Sequence, residues 1–128
     1  MKKISVIVNC HNGEKYLKKS LKSLISQSYK NWELIFYDNN SKDKSLSVLN
    51  QIKDNRVKIF TTKKLKNLYH ARNLAIKKAK GKFVTFLDSD DLWEKNKLKN
   101  AEYIALFPNV MIGLHVDHFY VFWLEPLS

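Results

Sequence analysis

"ISVIVNCHN", residues 4–12, begins with a β-branched run and ends on the polar turn Asn9-Cys10-His11-Asn12. A strand with one wet face alternates apolar and polar residues. Ile4 to Val8 is instead apolar on both faces, the pattern of a central parallel strand covered from two sides. Such a strand requires helices to follow, and the downstream chain supplies them. From Glu14 to Gln27 the period changes, and Leu17, Leu21, Leu24 and Ile25 form one helical stripe with lysines opposite. Residues 32–37 read as a second strand and 43–53 as a second helix, with Leu46, Leu49 and Ile52 in register. Residues 56–61 give a third strand, and 68–80 a third helix stopped by Gly81, a residue suited to a left-handed C-cap. Residues 82–87 give a fourth strand, and 95–106 a fourth helix that ends before Pro108. The last apolar segment, Val110 to about Leu124, is read as a further strand with Val110, Ile112, Leu114 and Val116 on one face. The alternation predicts an α/β fold with a doubly wound, mostly parallel sheet, and the 128 residues suit one domain.

In that architecture ligands gather at the carboxyl ends of the strands. Those ends are Asn9–Asn12, Asp38-Asn39-Asn40-Ser41 and Asp88-Ser89-Asp90-Asp91, all polar and two of them acidic. Two unit charges about 4 Å apart repel by about 4 kcal/mol at an effective dielectric of ~20. Three carboxylates within four positions therefore need to splay into water or to share a cation. Hard divalent ions such as Mg²⁺ and Mn²⁺ prefer carboxylate oxygens and often sit between one or two of them and substrate phosphates. If the backbone stays extended, Asp88 and Asp90 point the same way and can face one site. The competing reading leaves both hydrated or capping, with Asp91 as an N-cap. Phosphate-cradling glycine motifs are absent, since Gly13, Gly81 and Gly113 are the only glycines, and a metal ion is the natural substitute.

The formal charge is +11, nearly all from lysine, because Arg56 and Arg72 are the only arginines. A polyanionic partner is one reading of this balance. The lysines are dispersed over the polar faces of the predicted helices, which favours a solvated surface. Nucleic-acid binding would rest on charge alone and has no motif, so no such partner is expected. Cys10 is the only cysteine, which excludes an internal disulfide and suits a buried small hydrophobe in a reducing, cytoplasmic setting. Neither a signal peptide nor an apolar run of about 18 residues is legible.

Two blocks carry a family resemblance. "ISVIVNCHNGEKYLKKSLKSLISQSYKNWELIFYDNNSKDKS", residues 4–45, and "ARNLAIKKAKGKFVTFLDSDDLW", residues 71–93, are together similar to the N-terminal part of family 2 glycosyltransferases. The resemblance implies the nucleotide-sugar-binding GT-A fold, Rossmann-like, ending after the nucleotide-binding half. It implies that Asp90 coordinates Mn²⁺ or Mg²⁺ on the donor diphosphate, and that Asp88 shares the metal or faces the ribose, with Ser89 between them in the same site. It places Asp38 on the base, Asn9 and His11 around the nucleoside, and Arg72 at the nucleotide. It further implies a UDP-sugar as donor, an inverting reaction in glycan or polysaccharide synthesis, and a location in the cytoplasm or at the inner face of the membrane.

The sequence departs from the family's pattern at several positions. His11 stands where an aromatic is usual, Asn39 where a second acid is common, and Asn40 and Asn67 where glycines are common. Asparagine tolerates positive φ, so those turns can survive. Lys95 stands where proline is frequent. Members usually continue well past this length, into an acceptor half that carries a catalytic carboxylate. No acid here matches it; after Glu102 only Asp117 and Glu125 remain. The expectation is thus the donor-binding half of an enzyme, with a catalytically inactive binding or assembly module as the alternative. Tyr120, Phe122 and Trp123 are the expected contact to a membrane or a second subunit.

Overall fold

The computed structural model describes residues 2–100 and the backbone of residues 121–123. β1 (Ile4–Cys10) lies mid-sheet. It pairs in parallel with β2 (Trp32–Asp38) on one side and with β4 (Phe83–Phe86) on the other. β3 (Val57–Thr61) extends the parallel set beyond β2. The short β5 (Val121–Trp123) runs antiparallel along β4, giving the order β3-β2-β1-β4-β5. The helices are α1 (Glu14–Ile25), α2 (Ser45–Asn50) and α3 (Leu68–Ile76).

The two faces of β1 are both buried, as its composition requires. Ile4, Val6 and Val8, with Leu34 and Phe36 of β2, pack against Leu17, Leu21 and Leu24 of α1 and Leu49 of α2. Ile7, Ile35 and Val84 point the other way, onto Ala71 and Ala75 of α3. The alanines let α3 lie close to the sheet. Each buried leucine contributes roughly 2 kcal/mol. The chain steps outward from β1 through β2 to β3, then returns to place β4 on the opposite side of β1. That reversal opens a crevice between the carboxyl ends of β1 and β4, where this class of sheet binds ligands.

Several expected details change. α2 spans six residues, not eleven. The Asp43 carboxylate accepts from both the Ser45 N–H (3.0 Å) and the Ser45 hydroxyl (2.6 Å), which makes a turn where helix was expected. α3 stops at Ile76, and the next residues tighten into three-residue turns, with Lys78 N–H to Ala75 O and Ala79 N–H to Ile76 O both at 3.0 Å. Gly81 is not left-handed. It is needed for room, because a Cβ there would lie 2.6 Å from the Ser5 nitrogen and 2.8 Å from the Lys3 carbonyl. Asn40 does adopt positive φ (57°), as does Asn12 (53°). Asn67 does not: at φ −64° it caps α3, its side-chain oxygen accepting from the His70 N–H at 2.9 Å. Residues 97–100 are helical, and the rest of the predicted fourth helix lies outside the described residues. So does the predicted face of Val110, Ile112, Leu114 and Val116; within that apolar segment the described strand is β5.

The amino ends of the strands are tied by a buried carboxylate. Glu33, 2% exposed, accepts from the Ser5 hydroxyl and the Lys80 N–H, both at 2.6 Å, and pairs with Lys58 at 3.5 Å. Ser5 in turn accepts from the Gly81 N–H at 2.8 Å. Burial pushes the Glu33 carboxyl up, but the two hydrogen bonds and the charges of Lys58 and Lys3 outweigh it and hold it below the usual range.

Candidate functional site

At the opposite edge lies a cleft of about 420 Å³. Asn9, His11, Asn12 and Gly13 line it from the β1–α1 turn, Lys15 and Tyr16 from the first turn of α1, and Asp88, Ser89 and Asp90 from the end of β4. Five of the residues read from the sequence thus meet in one place: Asn9, His11, Asp88, Ser89 and Asp90. Asn12 was named only as the close of the first strand end, and Gly13, Lys15 and Tyr16 were not singled out there. Their signal was position, because they directly follow a strand end that was.

The acidic segment is a turn, not the extended backbone that alternation required. The Asp91 N–H donates to the Asp88 carbonyl at 3.0 Å, so Asp88 and Asp90 reach the cleft through chain reversal. Both remain exposed. Asp91 instead accepts locally from the Leu92 N–H at 3.1 Å. The turn is seated on α1, since Ser20 donates to the Asp88 carbonyl at 3.1 Å. Downstream, Ser23 accepts from the Trp93 N–H at 3.1 Å. The buried Gln27 side chain donates to the Glu94 carbonyl at 2.7 Å and accepts from the Leu98 N–H at 3.0 Å. Ser28 closes the same junction through Asn96 and the Lys95 carbonyl. Sequence reasoning missed these positioning residues because their partners lie some seventy positions away.

Hydrogen bonding fixes the His11 ring. Its Nδ1 lies 2.8 Å from the Asn39 carbonyl, which can only accept, so Nδ1 carries the proton. Nε2 is then free to accept from the Asn12 amide at 3.2 Å. The result is an oriented imidazole ring. Gly13 is wedged tightly, since a Cβ would come within 2.8 Å of Cys10 Sγ and 3.1 Å of Ser89 Oγ. The Cys10 thiol is buried, its pKa pushed up by that burial, and it donates to Ser45 at 3.7 Å; it is not poised as a nucleophile.

Asn9 stands out in the cleft, because among the described residues neither its amide oxygen nor its amide nitrogen has a partner although both atoms are buried. Asp38 and Arg72 do not line the cleft. Asp38 is 2% exposed; one oxygen accepts from the Ser41 N–H at 3.1 Å, and the other is buried without a hydrogen-bond partner among the described residues. Arg72 reaches the site through Asp88, at 3.6 Å, and lies over the Phe86 ring at 5.1 Å. The other arginine, Arg56, is structural: it stacks 3.6 Å from the Trp32 ring centre and pairs with Asp54 at 2.7 Å. Among the described residues no group of three or more His, Cys, Asp or Glu side chains comes together as a metal cage. Two oxygen-donor carboxylates on an open cleft do fit Mg²⁺ or Mn²⁺, which fill their remaining positions with water and substrate phosphate. Among those residues no helix is long and apolar enough to cross a membrane.

Comparison with known proteins agrees with this geometry. The family model described as "Glycosyl transferase family 2" matches residues 5–123. The UDP-Glc:alpha-D-GlcNAc-diphosphoundecaprenol beta-1,3-glucosyltransferase WfgD of Escherichia coli is 40% identical over 107 residues, covering 84% of this chain and 42% of that protein. The putative teichuronic acid biosynthesis glycosyltransferase TuaG of Bacillus subtilis is 36% identical over 98 residues, covering 75% and 39%. Among solved structures, S. aureus TarS 1-349 in complex with UDP superposes with a TM-score of 0.73 at 35% identity, covering 79% of this chain and 31% of that one. The mannosyltransferase PcManGT of Pyrobaculum calidifontis, in complex with GDP-Man and Mn2+, superposes with a TM-score of 0.79 at 25% identity, covering 84% and 33%. The chain therefore spans about two fifths of the curated relatives' length and about a third of the solved ones'. The sheet order, the cleft at its reversal point and a family match along most of the sequence converge: the fold is of the GT-A type, and the chain belongs to glycosyl transferase family 2.

Proposed function

We propose that this chain is the donor-binding domain of a metal-dependent, inverting glycosyltransferase. Its donor is a nucleotide-diphospho-sugar, UDP-linked, and its pathway is polysaccharide or lipid-linked glycan synthesis at the cytoplasmic face of the membrane. The observation that carries this reading is the cleft itself, where Asp88 and Asp90 line the same wall region as Asn9, whose buried amide has no partner among the described residues. Buried polar groups are almost always paired, so an unpaired amide just beneath the cleft wall marks a place that a ligand completes after a small movement of that wall. The names of the relatives support the donor class, because WfgD is a UDP-glucose enzyme and TarS is seen with UDP.

Asp88 and Asp90 would hold the Mn²⁺ or Mg²⁺. When bound, the metal would supply positive charge against the departing nucleoside diphosphate. The remaining work falls to the chain's own side chains. Asn9 offers one donor and one acceptor to the nucleoside, and the oriented His11 ring offers a flat surface beside it. Arg72 holds the Asp88 carboxylate and adds a cation near the site of the phosphates. Asp38 lies behind the cleft lining, and its unpaired, buried oxygen reads a base only if the wall in front of it moves. The group that takes the acceptor's proton is assigned to none of the described residues.

Calorimetric titration of the protein with UDP-, GDP- and dTDP-sugars, with and without Mn²⁺, tests the reading. UDP-sugar binding that requires Mn²⁺ is expected. Metal-independent binding, or no binding across the series, overturns it.

A further inference from the structure

Between Asn55 and Leu87 the chain carries ten lysines and arginines and not one Asp or Glu. The rest of the molecule, with thirteen basic and twelve acidic residues, is nearly neutral. The charge is thus not evenly dispersed along the chain but concentrated in this stretch, with Lys58 on β3, Arg72 on α3 and the other eight in the connections around β3, α3 and β4. Within this stretch the β3–α3 connection is exposed at Lys63, Lys64, Leu65 and Asn67, and the exposure continues through Leu68, Tyr69 and His70. Leu65 is 59% exposed, Leu68 49% and Tyr69 78%. Three of the six large apolar side chains exposed among the described residues therefore fall within five positions. Among the described residues the ion pairs are Arg56–Asp54, Lys58–Glu33 and Arg72–Asp88, and none of these engages Lys63, Lys64 or Lys66.

This connection is held in place. The Asn39 amide donates to the Lys66 carbonyl at 2.7 Å and accepts from the Lys66 N–H at 2.9 Å. The Thr62 hydroxyl donates to the Lys64 carbonyl at 3.0 Å, and Asn67 caps the helix that follows. The leucines and the tyrosine are consequently displayed on an anchored loop. A soluble polyanion would use the lysines and leave Leu65 and Leu68 in water, whereas an anionic bilayer takes both kinds of side chain. We infer that residues 63–69 form a docking loop for an anionic lipid surface, lysines at the headgroups and Leu65, Leu68 and Tyr69 in the interface. The loop leaves the carboxyl end of β3, so docking turns the edge that carries the cleft towards the lipid. The inference does not depend on sugar transfer and is tested without a donor.

The test is sedimentation of the 128-residue protein with phosphatidylcholine vesicles, with and without phosphatidylglycerol. Binding only to the anionic vesicles is expected, falling as salt rises. Lys63→Ala/Lys64→Ala should weaken partitioning about 25-fold, about fivefold for each lysine. Leu65→Ser/Tyr69→Ser should weaken it by about tenfold. The charge-matched control Lys18→Ala/Lys19→Ala, on the exposed face of α1, should stay within about twofold. All four positions in the loop variants are exposed, and an unchanged melting curve verifies the fold. Equal binding to neutral vesicles, or an equal loss in the control, overturns the inference. So does unchanged vesicle binding in the Leu65/Tyr69 variant together with full competition by heparin, which would mark a site for soluble polyanions.

Discussion

The two ends of the same strands bury polar groups in opposite ways. At the amino edge, Glu33 is closed off by Ser5, the Lys80 N–H and Lys58, with Gly81 admitted only because it has no side chain. At the carboxyl edge, Asn9 and Asp38 keep buried atoms with no hydrogen-bond partner among the described residues, and Asp88 and Asp90 are exposed. Polarity alone does not separate a structural site from a functional one. The degree of completion does: Glu33 keeps two hydrogen bonds and an ion pair, although its Oε2 and the Trp32 indole N–H have no hydrogen-bond partner among the described residues, whereas both amide atoms of Asn9 stay unpaired beside the cleft.

The strongest way to break this contrast is Glu33→Ala, which strands the Ser5 hydroxyl and the Lys80 N–H. A loss of about 3 kcal/mol in urea unfolding is expected, with donor affinity unchanged under folding conditions. Asp90→Asn should do the reverse. Stability should move by less than about 0.5 kcal/mol, while Mn²⁺-dependent UDP-sugar binding weakens about 100-fold, since even indirect partners of a metal cost 10- to 100-fold. Equal effects of the two changes on stability would remove the distinction.

Gln27→Leu probes the junction between the edges. It leaves the Glu94 carbonyl and the Leu98 N–H unpaired and should cost about 2 kcal/mol. It should also weaken metal-dependent donor binding more than an equally destabilising core change such as Leu49→Ala. If the two variants bind alike at matched stability, Gln27 is only structural. The smallest effect is in pH. The folded Glu33 and Asp54 carboxyls lie below their usual values, Glu33 through its hydrogen bonds and nearby lysines, Asp54 chiefly through Arg56. Groups shifted downward stabilise above their unfolded pKa and lose that contribution as pH falls through the folded one. Unfolding free energy should therefore be flat near neutrality and fall below about pH 4.5, more gently in Glu33→Gln than in the natural sequence.

The sheet was legible because β1, β2 and β4 are apolar runs with no alternative use, and α1 because its leucine stripe is unbroken. Helix ends were less so. Asp43 and Asn67 act through side chain–backbone bonds that compete with helical pairing, and periodicity does not register them. Asn9, His11 and the Asp88–Asp90 turn could be read as strand ends in an alternating chain. The turn's conformation could not, nor could Gln27 or Glu33, whose meaning comes from residues brought near only by folding.

The tight seating of Gly13 over Cys10 has a practical consequence. The lone thiol sits beneath the turn that forms one wall of the cleft, and an alkylating reagent can reach it only when that turn lifts. Its labelling rate is then a stopwatch on local opening, recorded by mass spectrometry from a single atom with no engineered probe. A donor that braces the turn would slow the clock, and one that settles elsewhere would leave it running at the same speed.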